Sequence, residues 1–498
     1  MRPHTGLRAL FLLAAPLLLV GAEFALTPAV SATLDEIAAD SLKGHVSFLA
    51  SDVLQGRDTP SPGLEIAGEY IASQFRAAGL ELGGKDGYFE PARFITMKPD
   101  YSGMRLVFEI GGQTFQPAPD SVSIGRTLRG LDIENAPLVK ATIGEPLGDV
   151  AGKVVITELP DFGSYAAEER AKLMASMREF SRNVARAKPA AIILLVRREP
   201  PRNLNPRLVD PGDPSLADPI TLQVYDPGLR KAWETMQGGT ATLKLPPPAQ
   251  EPVMLRNVIG ILPGSDPVLK NTYVIVSAHY DHVGVRASGE DRVFNGANDN
   301  ASGTAAMIEI ARAFSKMRVK PKRSLVFIAY FGEEKGLFGS RYYARNPSVP
   351  LNQTVANINL EQLGRTDDND GPEVAGATLT GFDYSEIGLI FAEAGKLTGV
   401  RVYKNEKKSD AFFARSDNQA LADVGVPAHT FLVVYEFPDY HRPGDEWHKL
   451  DYANMAKVVR TAALGVLMIA NNPEPPKWNE ANPKAAPYLK AWKERKGN

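Results

Sequence analysis

Five side chains in this sequence suit metal ligation, and each falls where a sheet would present it. They are His279, Asp299, Glu334, Glu361 and His441, with Glu333 beside the third. His279 closes the apolar run 273–278, and Glu333-Glu334 follow the apolar run 324–330. Glu361 follows 353–360, and His441 lies in the loop after 427–434. Asp299 sits in a Gly- and Asn-rich turn, just before a helical pattern that starts at Ala301. One acid or histidine at a strand end is unremarkable. The same placement at four successive strand ends is hard to explain by packing, because buried carboxylates are costly unless paired or bound to metal. Oxygen and nitrogen donors without sulfur suit zinc, with cobalt and manganese as alternatives. Two ions roughly 3.5–4 Å apart share a bridging carboxylate and need at least two further ligands each. That inventory is complete if Asp299 bridges.

The elements that must position these groups alternate. Strand patterns at 257–262, 273–278, 324–330, 353–360 and 427–434 interleave with helical patterns at 301–314, 337–344, 384–397, 417–424 and 452–470. This predicts an α/β fold with a mixed, mostly parallel sheet flanked by helices. Ligands then gather at the carboxyl ends of the strands. Upstream, 33–50 has helical spacing. A second helix is expected to carry Ile66, Tyr70, Ile71 and Phe75 on one face and to stop at Gly79. From 99 the texture changes to strands at 104–110, 154–157 and 190–196 with a charged helix at 164–188. This reads as an inserted, smaller β-rich domain closed by Leu245-Pro246-Pro247-Pro248. The expected divisions are a signal peptide (1–32), an N-terminal helical part of the catalytic domain (33–98) and the insert (99–250). The main domain (251–470) and a surface tail (471–498) complete the chain.

Composition narrows the function. At 498 residues the chain exceeds one ordinary core. A net charge of −2 leaves no basic footprint for nucleic acid and no attraction to an anionic membrane. With no cysteine, a Cys-type structural zinc site is ruled out, and a bacterial periplasm or medium fits better than a eukaryotic secretory route. Arg2 and Arg8 precede an uncharged stretch, 9–22, that ends at Glu23. This is the pattern of a secretory signal, with cleavage after Ala22 or after Ala32. The stretch is shorter than the ~20 residues that span a bilayer. The expectation is a secreted or periplasmic protein with no stable membrane association after cleavage, and no other membrane-spanning segment.

The motifs AHYDH, GANDNASG, FGEEKGLFGS, NINLEQLGR and YHRPGDEWHKLD occur in that order. In this the chain resembles the zinc aminopeptidases of clan MH, the M28 peptidases. On the weaker pattern GKVVI…AAIILLV, the region 99–250 resembles the protease-associated (PA) insert of many members. The resemblance implies two Zn2+ per chain and a peptide substrate. His279 and Glu361 would hold one zinc, Glu334 and His441 the other, and Asp299 both. Glu333 would be the general base. Asp281 would orient His279, as metal-bound histidines require, and Asp445 would support His441. Asn300 stands where the family has a strained backbone. Many members carry Asp where this chain has Glu361, which is one methylene longer with the same donors.

The activity implied is that of a di-zinc exopeptidase, by family frequency an aminopeptidase. Carboxypeptidase, dipeptidase or glutaminyl-cyclase-like activity on the same fold, and a non-catalytic binding module, are the alternatives. Arg401 and Arg415 are candidates for gripping a substrate carboxylate. Tyr435 or Tyr440 is the candidate oxyanion donor. His282 and His448 read as structural or rim residues, and His429 as a satisfied core histidine.

Overall fold

The computed structural model describes residues 26–161, 165, 167–200 and 206–497. Most of the expected signal segment, residues 1–25, lies outside the described residues. Its expected end at Ala32 falls inside the helix Pro28–Asp35, which Thr27 caps.

A ten-stranded sheet forms the main body. Its centre is parallel, in the order Ala428–Leu432, Thr354–Leu360, Tyr273–His279, Ser324–Tyr330. All the residues of these strands but Tyr273 are buried, so they read as continuous apolar runs rather than alternating ones. Both flanks turn antiparallel. Ala249–Leu262 pairs with Ser324–Tyr330 and with Phe89–Lys98, and Gly376–Leu379 pairs with Ala428–Leu432. The sheet is mixed, as expected, with parallel pairing at its centre and again at the edge between Gly376–Leu379 and Arg401–Tyr403. Side chains alternate between two cores: Val274 and Val276 pack on one face, Ile275 on the other. Helices Ala39–Leu49, Pro62–Ala77, Ser302–Ser315, Ile387–Thr398 and Tyr452–Asn471 cover the first face. Asn418–Asp423 and the C-terminal segment around Trp478 cover the second.

Several local readings change. The helical stretch 33–50 is broken into Pro28–Asp35 and Ala39–Leu49. In the next helix Ser61 caps and Pro62 opens, and Gly79 takes a φ of +72° past its end. Its buried face uses Leu64, Ala67, Ile71 and Phe75, while Ile66 is exposed. The tail is not merely a surface strand. Trp478 is buried, and its indole N–H donates to Gly425 O at 3.1 Å. Among the described residues one helix, Tyr452–Asn471, is long and apolar enough to cross a membrane. It is largely buried against the sheet.

The chain leaves the main sheet at Lys98 and returns at Ala249, and these two residues are partners in one antiparallel ribbon. Between them lies a separate eight-stranded sheet. Leu229 and Trp233 of helix Pro227–Thr235 pack on one face of it, and Phe180 and Val184 of helix Ala167–Ala187 on the other. A short strand from this region, Arg207–Val209, adds to the edge of the main sheet.

Arg57 ties the N-terminal helices to the sheet's carboxyl edge. Its buried guanidinium donates to Leu49 O, Asn295 O (2.8 Å), Gly296 O (3.0 Å) and Tyr280 O (2.9 Å). Burial lowers its pKa to about 10, against the pull of Asp281, Asp445, Asp299 and Glu334, so it stays charged at neutral pH. Arg57→Met strands those buried carbonyls. It should cost on the order of 3 kcal/mol, seen as a lower urea midpoint for the main body. An unchanged midpoint would show that the guanidinium is not structural.

Candidate metal centre

The four central strands point the same way, so their carboxyl ends share one edge. His279 ends its strand fully buried. Its Nδ1 faces Asp281, 3.3 Å from the carbonyl O and 3.7 Å from Oδ1. Its Nε2 faces Glu361 Oε1 at 3.1 Å and Asp299 Oδ1 at 3.4 Å. On the other side, His441 Nε2 lies 3.1 Å from Asp299 Oδ2 and 3.2 Å from Glu334 Oε2. Asp299 thus divides its two oxygens between two groups: His279 with Glu361, and His441 with Glu334. The longer Glu361 side chain still reaches the His279 group.

His282 joins the second group. Its Nδ1 is 2.9 Å from Glu334 Oε1, and one ligand atom from each of His282, Asp299, Glu334 and His441 lies within 4.8 Å of the others. This differs from the rim or structural role expected of His282. The strand's extended geometry ends at His279, and the chain then turns the third residue on back under the site. The one sequence signal for this was its place three residues after His279.

Asp281 is the hinge of the arrangement. It is buried, and it accepts the backbone N–H of Glu333 at 3.1 Å, that of Glu334 at 3.4 Å, and the Thr59 hydroxyl at 3.2 Å. One carboxylate therefore orients His279 and fixes the turn that carries both glutamates. Asp445 behaves differently from its expected support of His441. The Arg442–Asp445 turn aims it beneath Asp299, where it accepts the N–H groups of Asn298 and Asp299 at 3.0 Å. Burial raises its pKa to about 6, with those N–H groups opposing.

The Asn-rich motif is explained by the contacts it makes. Asn298 Oδ1 accepts the N–H groups of Gly364 and Arg365, and Asn300 donates to Leu360 O and accepts from Gly303 N–H. These bonds stitch the Asp299 loop to the segment that carries Glu361. The Asp299–Asn300 peptide is cis. Two glycines are obligatory here. Gly296 has a φ of +60°, and a Cβ on it would sit 2.6 Å from the His282 ring. A Cβ on Gly303 would sit 2.1 Å from Leu360 O, so the helix could not approach that strand end.

Glu333 is half-buried and lines a cavity of about 350 Å³ beside Asp299, Glu334 and Glu361. Burial lifts its pKa well above the usual carboxylate range. His279 opposes the rise, and Glu361 and Glu334 add to it. Tyr440 and Tyr435 line the same cavity. Tyr440 stacks on His441, rings 4.0 Å apart, and burial with Asp299 and Glu334 pushes its hydroxyl up. Tyr435 instead has its hydroxyl 3.2 Å from that of Ser409. Arg415 lines the cavity, whereas Arg401 pairs with Glu373 away from it. His429 is the satisfied core histidine expected. It is buried between Ser385 Oγ and Thr380 O, and burial lowers its pKa to about 4. His448 sits in the turn Trp447–Lys449, away from the ligands.

The donor set fits divalent metal. Three carboxylates and two or three imidazoles converge with acid facing acid, and such a set is stable only with added positive charge. The two oxygens of Asp299 face different groups, Oδ1 toward His279 and Oδ2 toward His441.

Comparison with known proteins agrees with this chemistry. Residues 257–466 match the sequence model of peptidase family M28. A probable zinc metalloprotease of Pyricularia oryzae is 31% identical over 213 residues, covering 40% of this chain and 39% of that protein. The leupeptin-inactivating enzyme 1 of Streptomyces exfoliatus is 36% identical over 109 residues, 22% of each chain. These alignments thus span well under half of either relative. In fold, the chain is similar to an aminopeptidase from Aneurinibacillus sp. strain AM-1, with a TM-score of 0.53 at 20% identity. That match covers 90% of this chain and 97% of the other.

Asp281→Asn removes the charge that orients His279 and grips the glutamate turn. Zinc affinity should fall about 10–100-fold, measured by competition with a chromogenic chelator. Unchanged affinity would show that Asp281 is dispensable to the centre.

Proposed function

We propose, from the match of residues 257–466 to the model of peptidase family M28, that the chain is a di-zinc exopeptidase removing N-terminal residues from peptides. The observation that carries this reading is the division of the Asp299 carboxylate between two ligand groups. His279 and Glu361 would complete one zinc site, and Glu334 and His441 the other. Zinc, when bound, supplies Lewis acidity and brings the pKa of water down to about 7.

The chain's own groups do the rest. Glu333 takes a proton from the attacking water and returns it to the leaving amine. Its raised proton affinity suits that exchange. Asp281 holds the Glu333 and Glu334 N–H groups together, so the base and the ligand keep a fixed separation. Of the two tyrosines, Tyr440 is the better oxyanion donor, because it stacks on His441 and faces the ligand carboxylates.

Glu333→Gln should lower turnover by roughly 10²–10⁴-fold while zinc, counted by mass spectrometry, stays at about two per chain. Asp299→Asn should cost both ions, and His279→Ala mainly one. Retained turnover in the first variant, or equal zinc losses in the other two, would overturn these roles. One zinc in the unmodified protein would point to cyclase-like chemistry instead.

Export to the periplasm or medium is part of the same reading, supported by Arg2, Arg8 and the uncharged stretch that follows them. Cleavage after Ala22 keeps the helix Pro28–Asp35 whole, whereas cleavage after Ala32 cuts it. N-terminal sequencing of the exported protein should therefore read Glu23 first. A start at Thr33 would mean that this helix is dispensable.

A further inference from the structure

Helix Phe338–Arg345 begins where the glutamate turn ends, and the two are locked together there. The N–H groups of Gly336 and Leu337 donate to Glu333 O at 2.9 and 3.0 Å, and that of Phe338 to Gly332 O at 3.0 Å. Gly339 N–H donates to Phe331 O at 2.8 Å. Buried Asn257 spans the same loop from behind. It accepts the Phe331 N–H at 3.3 Å and donates to Gly339 O at 3.0 Å. A tilt of the helix is therefore passed on to Glu333 and Glu334.

The inserted unit holds the other end of this helix. Arg345, its last residue, pairs with Asp210. Asp210 directly follows the strand Arg207–Val209, which sets Val209 opposite Ile95 and Arg207 opposite Met97 of the main sheet. Arg207 also donates to Ile124 O at 3.1 Å, inside the eight-stranded sheet. Between the two ends, Tyr342 donates to Pro91 O at 3.2 Å, and the Phe94 ring packs 5.4 Å from that of Phe331 and 5.2 Å from that of Phe338. The Asp210 side chain is 9% exposed and that of Arg345 40%. An enclosed carboxylate is costly to leave without a partner, which sets this pair apart from one on the open surface.

We infer that Asp210 and Arg345 are positioning residues of the metal centre: through their ion pair the inserted unit braces helix Phe338–Arg345 and so fixes where the Glu333–Glu334 turn stands. Asp281 grips that turn at the N–H groups of both glutamates, and the braced helix is its second support. A base that must meet a water at hydrogen-bond distance tolerates little play. The effect on turnover rests on the peptidase reading above. The demand on the inserted unit is confined to its segment 207–210, and this role asks nothing of the rest.

The test compares the full chain, at saturating zinc, with Asp210→Asn, Arg345→Met, Arg345→Lys and the double variant Asp210→Asn with Arg345→Met. Asp210→Asn removes the charge but keeps the Oδ1 that accepts the Gly212 N–H at 2.8 Å. With leucine p-nitroanilide, Asp210→Asn and Arg345→Met should each lower kcat about tenfold while KM moves less than about twofold. The double variant should be no worse than the weaker single one, because the pair acts as a unit. Arg345→Lys keeps the charge and should retain most of kcat. Deuterium exchange gives a readout free of turnover. Residues 331–345 should lose protection in Asp210→Asn and Arg345→Met, while the inserted strand Ala191–Leu195 stays protected. Unchanged exchange over 331–345, or kcat losses that add in the double variant, overturns the brace and leaves the peptidase reading intact. Faster exchange throughout the inserted unit would assign Asp210 to the stability of that unit and overturns the brace as well. Lost protection at 331–345 in a protein whose unmodified form hydrolyses no peptide keeps the brace and sinks the peptidase.

Discussion

Mutual repulsion among carboxylates is the constraint that this structure is built to hold. Asp281, Asp299, Glu333, Glu334, Glu361, Asp417 and Asp445 crowd one edge of the sheet, and Asp281, Asp299, Glu334, Glu361 and Asp417 each raise the proton affinity of another of them. The fold answers in three ways. Arg57 sits behind them as a buried permanent cation, and His279, His282 and His441 stand among them. Backbone N–H groups of residues 298, 299, 333 and 334 point at the two acids that face away from the cavity. What remains uncompensated is the part that faces the cavity, and there divalent metal completes the balance. Removing the cations, not the carboxylates, is what such an edge tolerates least.

Parallel strands turn that constraint into a site. Because four central strands end together, residues far apart in sequence arrive within ligand distance without any long loop to place them. The Asp299 turn and the loop that carries His441 are the exceptions, and the Asp299 turn is heavily tied. Asn298, Asn300 and Ser302 bond it to the Glu361 segment, and Asp445 caps it from below.

Much of this was legible in the sequence because a buried parallel strand writes itself as an unbroken apolar run, and a polar ligand directly after such a run is conspicuous. Thus His279, Glu334 and Glu361 could be read from position alone. Side-chain direction in irregular backbone could not. His282 and Asp445 both lie in turns, and turns carry no periodicity that says where a residue points. The pairing sense at the sheet flanks was hidden for a related reason: Ala249–Leu262 is long and apolar enough to sit anywhere, and only its partner decides that it runs antiparallel. The C-terminal tail misled by composition, since lysine and proline outnumber Trp478, Tyr488 and Trp492, which anchor it.

The paired residues Lys98 and Ala249 carry a consequence for descent. Both covalent connections to the eight-stranded unit leave from one rung of a two-stranded ribbon. In topological terms the whole unit occupies the tip of a hairpin. Gaining or losing it requires one splice, at a place where a tight turn would otherwise suffice, and the register of the strands that carry the metal ligands is untouched. The catalytic edge and the inserted unit are thus free to diverge at different rates within a single reading frame.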